Sequence, residues 1–166
     1  MKLFLTVGTQ LPFDRLIRAV DDWIADNPEQ APNLFGQIGP VGGRNHRPRT
    51  FEWTEFLSPE AFNEKFATAT HVISHAGMGT IISTLVAGKP IMILPRRADL
   101  GEQRNDHQIA TVRNFRSKPG IHIAKDETEV AAAIEAMLSA DTYGVRQASR
   151  LADTSLTDAI RAEILA

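Results

Sequence analysis

A short β-branched run at residues 71–74 ends in Ser74-His-Ala-Gly-Met-Gly-Thr80, and a helical pattern begins at once. A second apolar run follows from Gly88-Lys-Pro90 to Pro95. Strand, small-residue turn, helix and strand in that order need a crossover, so the two strands are parallel and belong to an α/β layer architecture. The turn also carries chemistry. A helix N-terminus leaves backbone N–H groups unpaired and carries the positive end of the helix dipole, which suits a phosphate or diphosphate. Gly77 and Gly79 lack a Cβ, so a ligand can approach the backbone closely.

The rest of the chain extends this pattern. Residues 2–7 read as a first strand and not as a leader, because the apolar run is short and an amphipathic helix follows it. That helix opens at Leu11-Pro12, with Phe13, Leu16, Ile17, Val20 and Ile24 on one face. Strands are expected at 34–38, 50–53, 71–74, 90–94 and 120–124. Helices are expected from Ser58-Pro59 to about Ala69, and at 79–87, 104–116 and 127–139. Ser58 is placed as N-cap with Pro59 at the first helical position. Apolar spacing from Gly144 onward predicts one or two terminal helices. The 166 residues are expected to form one domain, with no linker or repeat.

Composition excludes several classes. A net charge of −2 argues against general nucleic-acid binding. There is no cysteine, hence no disulfide framework or thiolate zinc site. No apolar run approaches the roughly 20 residues of a membrane span. The glycine turn is not a Walker A loop, because no Gly-Lys-Ser/Thr occurs. Nor is it a dinucleotide fingerprint, because Ile82 stands where a third glycine belongs. His71 and His75 bracket a strand and lack a third ligand, so no metal site is expected. Ser74 and His75 are strand neighbours on opposite faces, which argues against a nucleophile pair.

In an open parallel sheet, ligands sit beyond the carboxyl ends of the strands. Three loops leave such ends with ligand-friendly residues: 8–10, 75–80 and 95–107. In the polar stretch 99–108, the amides and imidazoles of Gln103, His107 and Gln108, together with Arg104, suit sugar hydroxyls. The plain alternative is a solvated loop with Asn105 or Asp106 as a cap. Arg96 and Arg97 follow a strand, as phosphate contacts or as a surface pair. Arg44, His46, Arg47 and Arg49 form a basic patch in a Gly/Pro-rich loop. It is open to phosphate, anionic lipid or an acidic partner, or is simply solvated.

Taken together, Ile73-Ser-His-Ala-Gly-x-Gly-Thr80, Gly88-Lys-Pro90, the strand to Pro95 and Asn105-Asp-His-Gln108 resemble the glycosyltransferase family 28 C-terminal domain. Thr6-Val-Gly-Thr9 with Pro12-Phe-Asp-Arg-Leu16 narrows the likeness to stand-alone donor-binding subunits of bacterial exopolysaccharide synthesis. These are similar to the catalytic subunit of the eukaryotic two-subunit transferase that adds the second N-acetylglucosamine to dolichol diphosphate. The resemblance implies a Rossmann-like, mostly parallel sheet flanked by helices, equivalent to the C-terminal half of a GT-B glycosyltransferase.

It further implies an inverting transferase that binds a UDP-sugar, with a separate membrane-associated subunit binding a lipid-linked acceptor. Such a protein is cytoplasmic, recruited to the inner membrane face by its partner, and its segment from about 144 touches that partner. The implied donor site comprises Gly8, Thr9, His75, Ala76, Gly77, Met78, Gly79, Thr80, Ser83, Arg96, Gln103, His107 and Gln108. His75 is the one candidate catalytic group. No cofactor or metal is expected, because helix dipole and basic residues can offset the phosphate charge. Ser83 departs from the pattern: many relatives carry there a glutamate that binds the ribose. A non-catalytic stimulatory subunit is therefore the alternative, and a nucleotide-sugar epimerase of related fold a third.

Overall fold

A computed structural model describes residues 1–43 and 45–140, so Arg44 and the segment expected to be helical from Gly144 lie outside the described residues. The elements are β1 (Leu3–Thr6), α1 (Asp14–Asp26), β2 (Leu34–Gln37), β3 (Glu52–Thr54), α2 (Pro59–Thr68), β4 (His71–His75), α3 (Met78–Val86), β5 (Ile91–Leu94), α4 (His107–Phe115), β6 (Ile121–Ile123) and α5 (Val130–Ser139). Short 3-10 turns at Pro28–Asn33 and Glu127–Glu129 precede β2 and α5.

The six strands form one sheet in the order β3-β2-β1-β4-β5-β6, with every neighbouring pair parallel. The architecture is therefore the Rossmann-like α/β sheet that the sequence pattern predicts. Alternating residues feed two cores, as strands covered on both faces require. Leu3, Leu5, Ile73, Met92 and Leu94 pack with Leu16, Ile17, Val20, Ile24, Ile134 and Met137 of α1 and α5. On the opposite face, Val72, Ile91 and Ile93 pack with Ile81 and Phe115. Phe4 turns to that second face and meets the Phe62 ring edge-on at 5.2 Å.

Strand order reverses between β1 and β4, because the chain builds outward through β2 and β3 and then returns to the other side of β1. The crevice at such a reversal, beyond the strand carboxyl ends, lies between Thr6 and His75 here.

Where element boundaries shift from expectation, side chains distant in sequence are responsible. The helix expected at Leu11-Pro12 starts at Asp14, because the carbonyls of Leu11 and Pro12 accept hydrogen bonds from Arg96. The third strand starts at Glu52 instead of 50, because Asp21 takes the amide and hydroxyl of Thr50. The helix expected from 104 begins at His107. Asp106 sits at its N-cap position, but its carboxylate accepts from the Ala98 amide and so ties the preceding loop. Ser58 does cap α2, accepting from the Ala61 amide at 3.2 Å. Gly88, at φ 63°, ends α3 in the left-handed region, where its amide bonds the Leu85 carbonyl.

Candidate functional site

The site grows from the ends of β1 and β4. The buried Ser74 hydroxyl donates to the Thr6 carbonyl at 2.8 Å and so pins the two strands together where they finish. Ser74 and His75 do not simply point apart, as strand alternation suggests. The ring of this last strand residue brings Nδ1 within 3.4 Å of Ser74 Oγ. The serine proton is already committed to Thr6, so the pair is no nucleophile and base. The contact assigns the imidazole proton to Nδ1 and leaves Nε2 as an acceptor.

Burial first, and the nearby Arg96 charge second, push His75 down to about 4, so the ring is neutral at physiological pH. The ring is flanked by two glycines. A Cβ at Gly77 would collide with Nε2, and one at Gly8 would stand 3.1 Å from Cε1. Gly8 also turns with φ 79°. The close approach expected of a ligand at Gly77 is thus an approach by the protein's own imidazole. Gly79 is different: a Cβ there would meet nothing within 4 Å.

Gly77 occupies the N-cap of α3 and offers no side-chain cap. Among the described residues, the amides of Met78, Gly79 and Thr80 find no acceptor; the Ile81 amide is the first to bond back, to the Gly77 carbonyl at 3.1 Å. Three amide donors at the positive end of a helix are therefore left without a partner. Ala76 is buried with its amide spent on Leu94, and the Met78 side chain packs into the core, so Met78 contributes a backbone amide only. Ser83 is exposed on α3 and lines neither cavity described next.

Two cavities flank this terminus and share Gly8 and Thr9. One, of about 290 Å³, is lined by residues 7–11, His75, Gly77, Arg96, Gln103, His107 and Gln108. It contains no carboxylate. The other, of about 360 Å³, is lined by Thr6, Gln37, Leu57, Pro59, Phe62, Asn63 and Thr80 besides the shared pair. Its members from β2 and α2 were missed in the sequence, because they lie on other elements, with no spacing that ties them to the glycine turn, and belong to ordinary helix and strand patterns. A larger groove of about 900 Å³ runs between α4, β6 and α5 at the far edge of the sheet. It is wide, with Arg97, Arg113, Arg116, His122 and Lys125 among its apolar lining residues, and it touches none of residues 6–11 or 75–80.

The two arginines of the 95–108 loop part company. Arg96 is 3% exposed, not half of a surface pair. Its guanidinium donates to the carbonyls of Val7, Leu11 and Pro12 at 2.9, 2.8 and 2.6 Å. Arg97 is the surface residue and pairs with Asp99 at 2.5 Å. Arg104 is exposed and lines neither cavity, against expectation.

The basic loop is not the free solvated segment its composition suggests. Asp21, 7% exposed, accepts from His46 Nε2 at 2.8 Å, from Thr50 Oγ1 at 2.6 Å and from the Arg49 and Thr50 amides. Burial opposes its charge, but these bonds outweigh burial and hold the carboxyl below its ordinary range. An aspartate on the apolar stripe of α1, four residues after Ile17, was the sequence signal for this anchor. His71 bonds Thr70 Oγ1, and no cluster of three metal-ligating side chains occurs among the described residues.

With this geometry in place, comparison with known proteins becomes decisive. The model of the glycosyltransferase family 28 C-terminal domain matches residues 2–161. The chain belongs to that family. No characterised protein sequence matches it significantly. Among solved structures, it is similar to the glycosyltransferase of kitacinnamycin (18% identity, TM-score 0.59, covering 90% of this chain and 38% of that one). It is likewise similar to the glycosyltransferase SsfS6 from Streptomyces sp. SF2575, complexed with thymidine diphosphate (17%, 0.53, 90% and 36%). A third likeness is to the solution structure of ALG13 (18%, 0.53, 82% and 84%).

At these identities the likeness is one of fold. This family 28 domain spans less than two fifths of the first two glycosyltransferases but lies nearly end to end with ALG13. Among the described residues, no helix is long and apolar enough to cross a membrane.

Proposed function

We propose that this chain is the donor-binding subunit of an inverting glycosyltransferase, a single domain over residues 1–166 that binds a UDP-sugar. In this reading, a hexose passes to a lipid-linked acceptor in exopolysaccharide synthesis. A separate membrane-associated subunit holds that acceptor and recruits this chain to the inner face of the plasma membrane. The segment from about 144, outside the described residues, is assigned to partner contact. One observation carries the reading: the uncapped N-terminus of α3, open at Gly79, between two cavities that share Gly8 and Thr9.

The amides of Met78, Gly79 and Thr80 would hold the diphosphate, with the nucleoside in the cavity between β1, β2 and α2 and the sugar in the carboxylate-free cavity. Thr9 and His75 line the phosphate side; Gln103, His107 and Gln108 orient the sugar. The acceptor hydroxyl oxygen attacks the anomeric carbon. The bond from that carbon to the diphosphate oxygen breaks, UDP leaves with the electron pair, and a base takes the hydroxyl proton. Amides preorganised around the diphosphate stabilise the charge that develops on it. His75, neutral but pushed down to about 4, is a weak base walled in by Gly8 and Gly77, so the base is assigned to the partner subunit. No metal is assigned a role.

UDP must raise the melting midpoint of the isolated chain if it binds only the native state. Gly79→Val, whose Cβ would meet nothing within 4 Å, is expected to abolish that rise and leave the unliganded midpoint unchanged. Transferase activity is expected only after the partner subunit is added. Exposed Ser83, with no carboxylate on that turn of α3, favours a second reading, a non-catalytic stimulatory subunit. A flat melt with UDP and UDP-sugars, together with partner stabilisation, selects it.

A further inference from the structure

Arg96 is the most heavily used side chain near the crevice that the proposed chemistry leaves without a task. Its guanidinium reaches three carbonyls of the loop after β1, with a longer contact of 3.4 Å to the Glu102 carbonyl. Its carbon lies 4.5 Å from the centre of the Phe13 ring. Burial pushes it down to about 10, and it keeps its charge at neutral pH. The terminal nitrogens are spent on these carbonyls, and only Nε–H is left without a partner among the described residues. A phosphate that claimed the terminal nitrogens would displace carbonyls that have no other donor and leave buried acceptors unpaired.

The main chain of the same residue governs a second loop. The Arg96 amide donates to Gln108 Oε1 at 3.0 Å. That bond settles which way the buried Gln108 amide faces: oxygen toward the backbone, nitrogen toward the cavity that Gln108 lines. No acceptor for that nitrogen occurs among the described residues, and it is not among the buried atoms left without a partner. Gln108 therefore offers a ligand N–H donors and no acceptor. A separate brace stands behind the loop. Glu102 takes Arg15 Nε and Nη2 at 2.9 and 2.7 Å and the Arg97 amide at 2.9 Å.

We propose that Arg96 is a positioning residue: it shapes loop 8–12 through three carbonyls and fixes Gln108 as a pure donor, without touching the diphosphate itself. The proposal rests on the donor-site reading and adds to it the distinction between charge that binds and charge that builds. Lysine cannot replace arginine in this role. A single ammonium on a flexible stem can neither span the carbonyls of Val7, Leu11 and Pro12 nor stack on Phe13.

The test compares the wild-type chain with Arg96→Lys, Arg96→Met and Gln108→Glu. UDP affinity is measured across a range of salt concentrations, and the Gly8 backbone amide and Gln108 side-chain amide are followed by NMR without ligand. Both Arg96 variants are expected to lose about tenfold or more in affinity, equally, with the salt dependence of UDP binding unchanged. Their ligand-free Gly8 and Gln108 signals should shift. Gln108→Glu keeps the acceptor for the Arg96 amide and removes the donors. It should leave Gly8 in place and lose UDP-sugar binding, and it serves the test even if the Arg96 variants do not fold.

The proposal is overturned if Arg96→Lys binds like wild type while Arg96→Met weakens with a shallower salt dependence, since Arg96 is then a phosphate contact. Unmoved Gly8 and Gln108 signals in both Arg96 variants, or undiminished binding by Gln108→Glu, also overturn it. If the wild-type chain shows no UDP binding, the donor-site reading fails, and the ligand-free signals still decide the positioning role.

Discussion

The turn at 75–80 and the loop at 95–107 leave adjacent parallel strands and border the same cavity, yet they are built on opposite principles. The turn is made of backbone. Its donors are main-chain amides, its room comes from missing Cβ atoms, and its one titratable side chain is a neutral imidazole packed between glycines. The loop is made of side chains. Arg96, Glu102 and Asp106, with Gln108 just beyond them, hold main-chain groups that no strand or helix satisfies. A backbone-built site presents charge without spending a charged residue. A side-chain-built loop spends its charges on itself and passes geometry, not charge, to the ligand.

Four measurements press on this contrast. The largest effect is expected at Gly77. Gly77→Val drives a branched side chain into the imidazole and should cost more than about 3 kcal/mol in chemical denaturation. In a His75→Ala background, much of that cost should vanish, because the ring is what the new side chain meets. Equal costs in both backgrounds would break the account of the turn.

The second is a pH dependence. His75 is depressed to about 4 in the folded protein, so between its ordinary value of 6.5 and about 4 the unfolded chain binds the extra proton. Stability therefore falls as pH drops through that window, by at most about 3 kcal/mol, and is unaffected above it. Stability curves for wild type and His75→Gln should diverge only below about pH 6.5, with the variant flatter.

The third tests the loop. Glu102→Ala leaves the buried Arg15 guanidinium and the Arg97 amide without their shared carboxylate and should cost about 2 kcal/mol. Its effect on UDP binding should appear through displaced Gln103 and Gln108, with no change in salt dependence. The smallest change in stability, within about 0.5 kcal/mol, is expected for Gly79→Val, although it should remove UDP protection altogether. Loss of stability without loss of protection at Gly79 would reverse the roles assigned to the two glycines.

Much of this was legible from residue order alone. The alternation of β-branched runs with apolar stripes at helical spacing placed all six strands and five helices of the described residues within a few positions. Periodicity is a local consequence of which face is buried, so it survives in a single sequence. The glycine turn was legible for the same reason, since its amides belong to consecutive residues. What escaped were the contacts between distant segments. Arg96 looks like a surface or phosphate-facing arginine until the carbonyls of residues 7, 11 and 12 are placed around it. Gly77 and Gly79 look interchangeable until an imidazole is found against one and open space beside the other. Gln37, Leu57, Phe62 and Asn63 carry no signature, because a cavity wall of that kind is defined by adjacency and not by spacing.

The order of residues by itself determined the parallel α/β layering and a helix N-terminus with free amides at the carboxyl end of a strand. Each of these follows from hydrogen bonds and side-chain periodicity within short stretches of chain. Tertiary structure alone decided which charges remain for a ligand. That outcome depends on whether a guanidinium or carboxylate meets an unpaired main-chain group from another segment, and a buried carbonyl without a donor costs too much to leave unmet. At Arg96 the fold claims the cation for itself, and the amides of α3 are left to face the crevice.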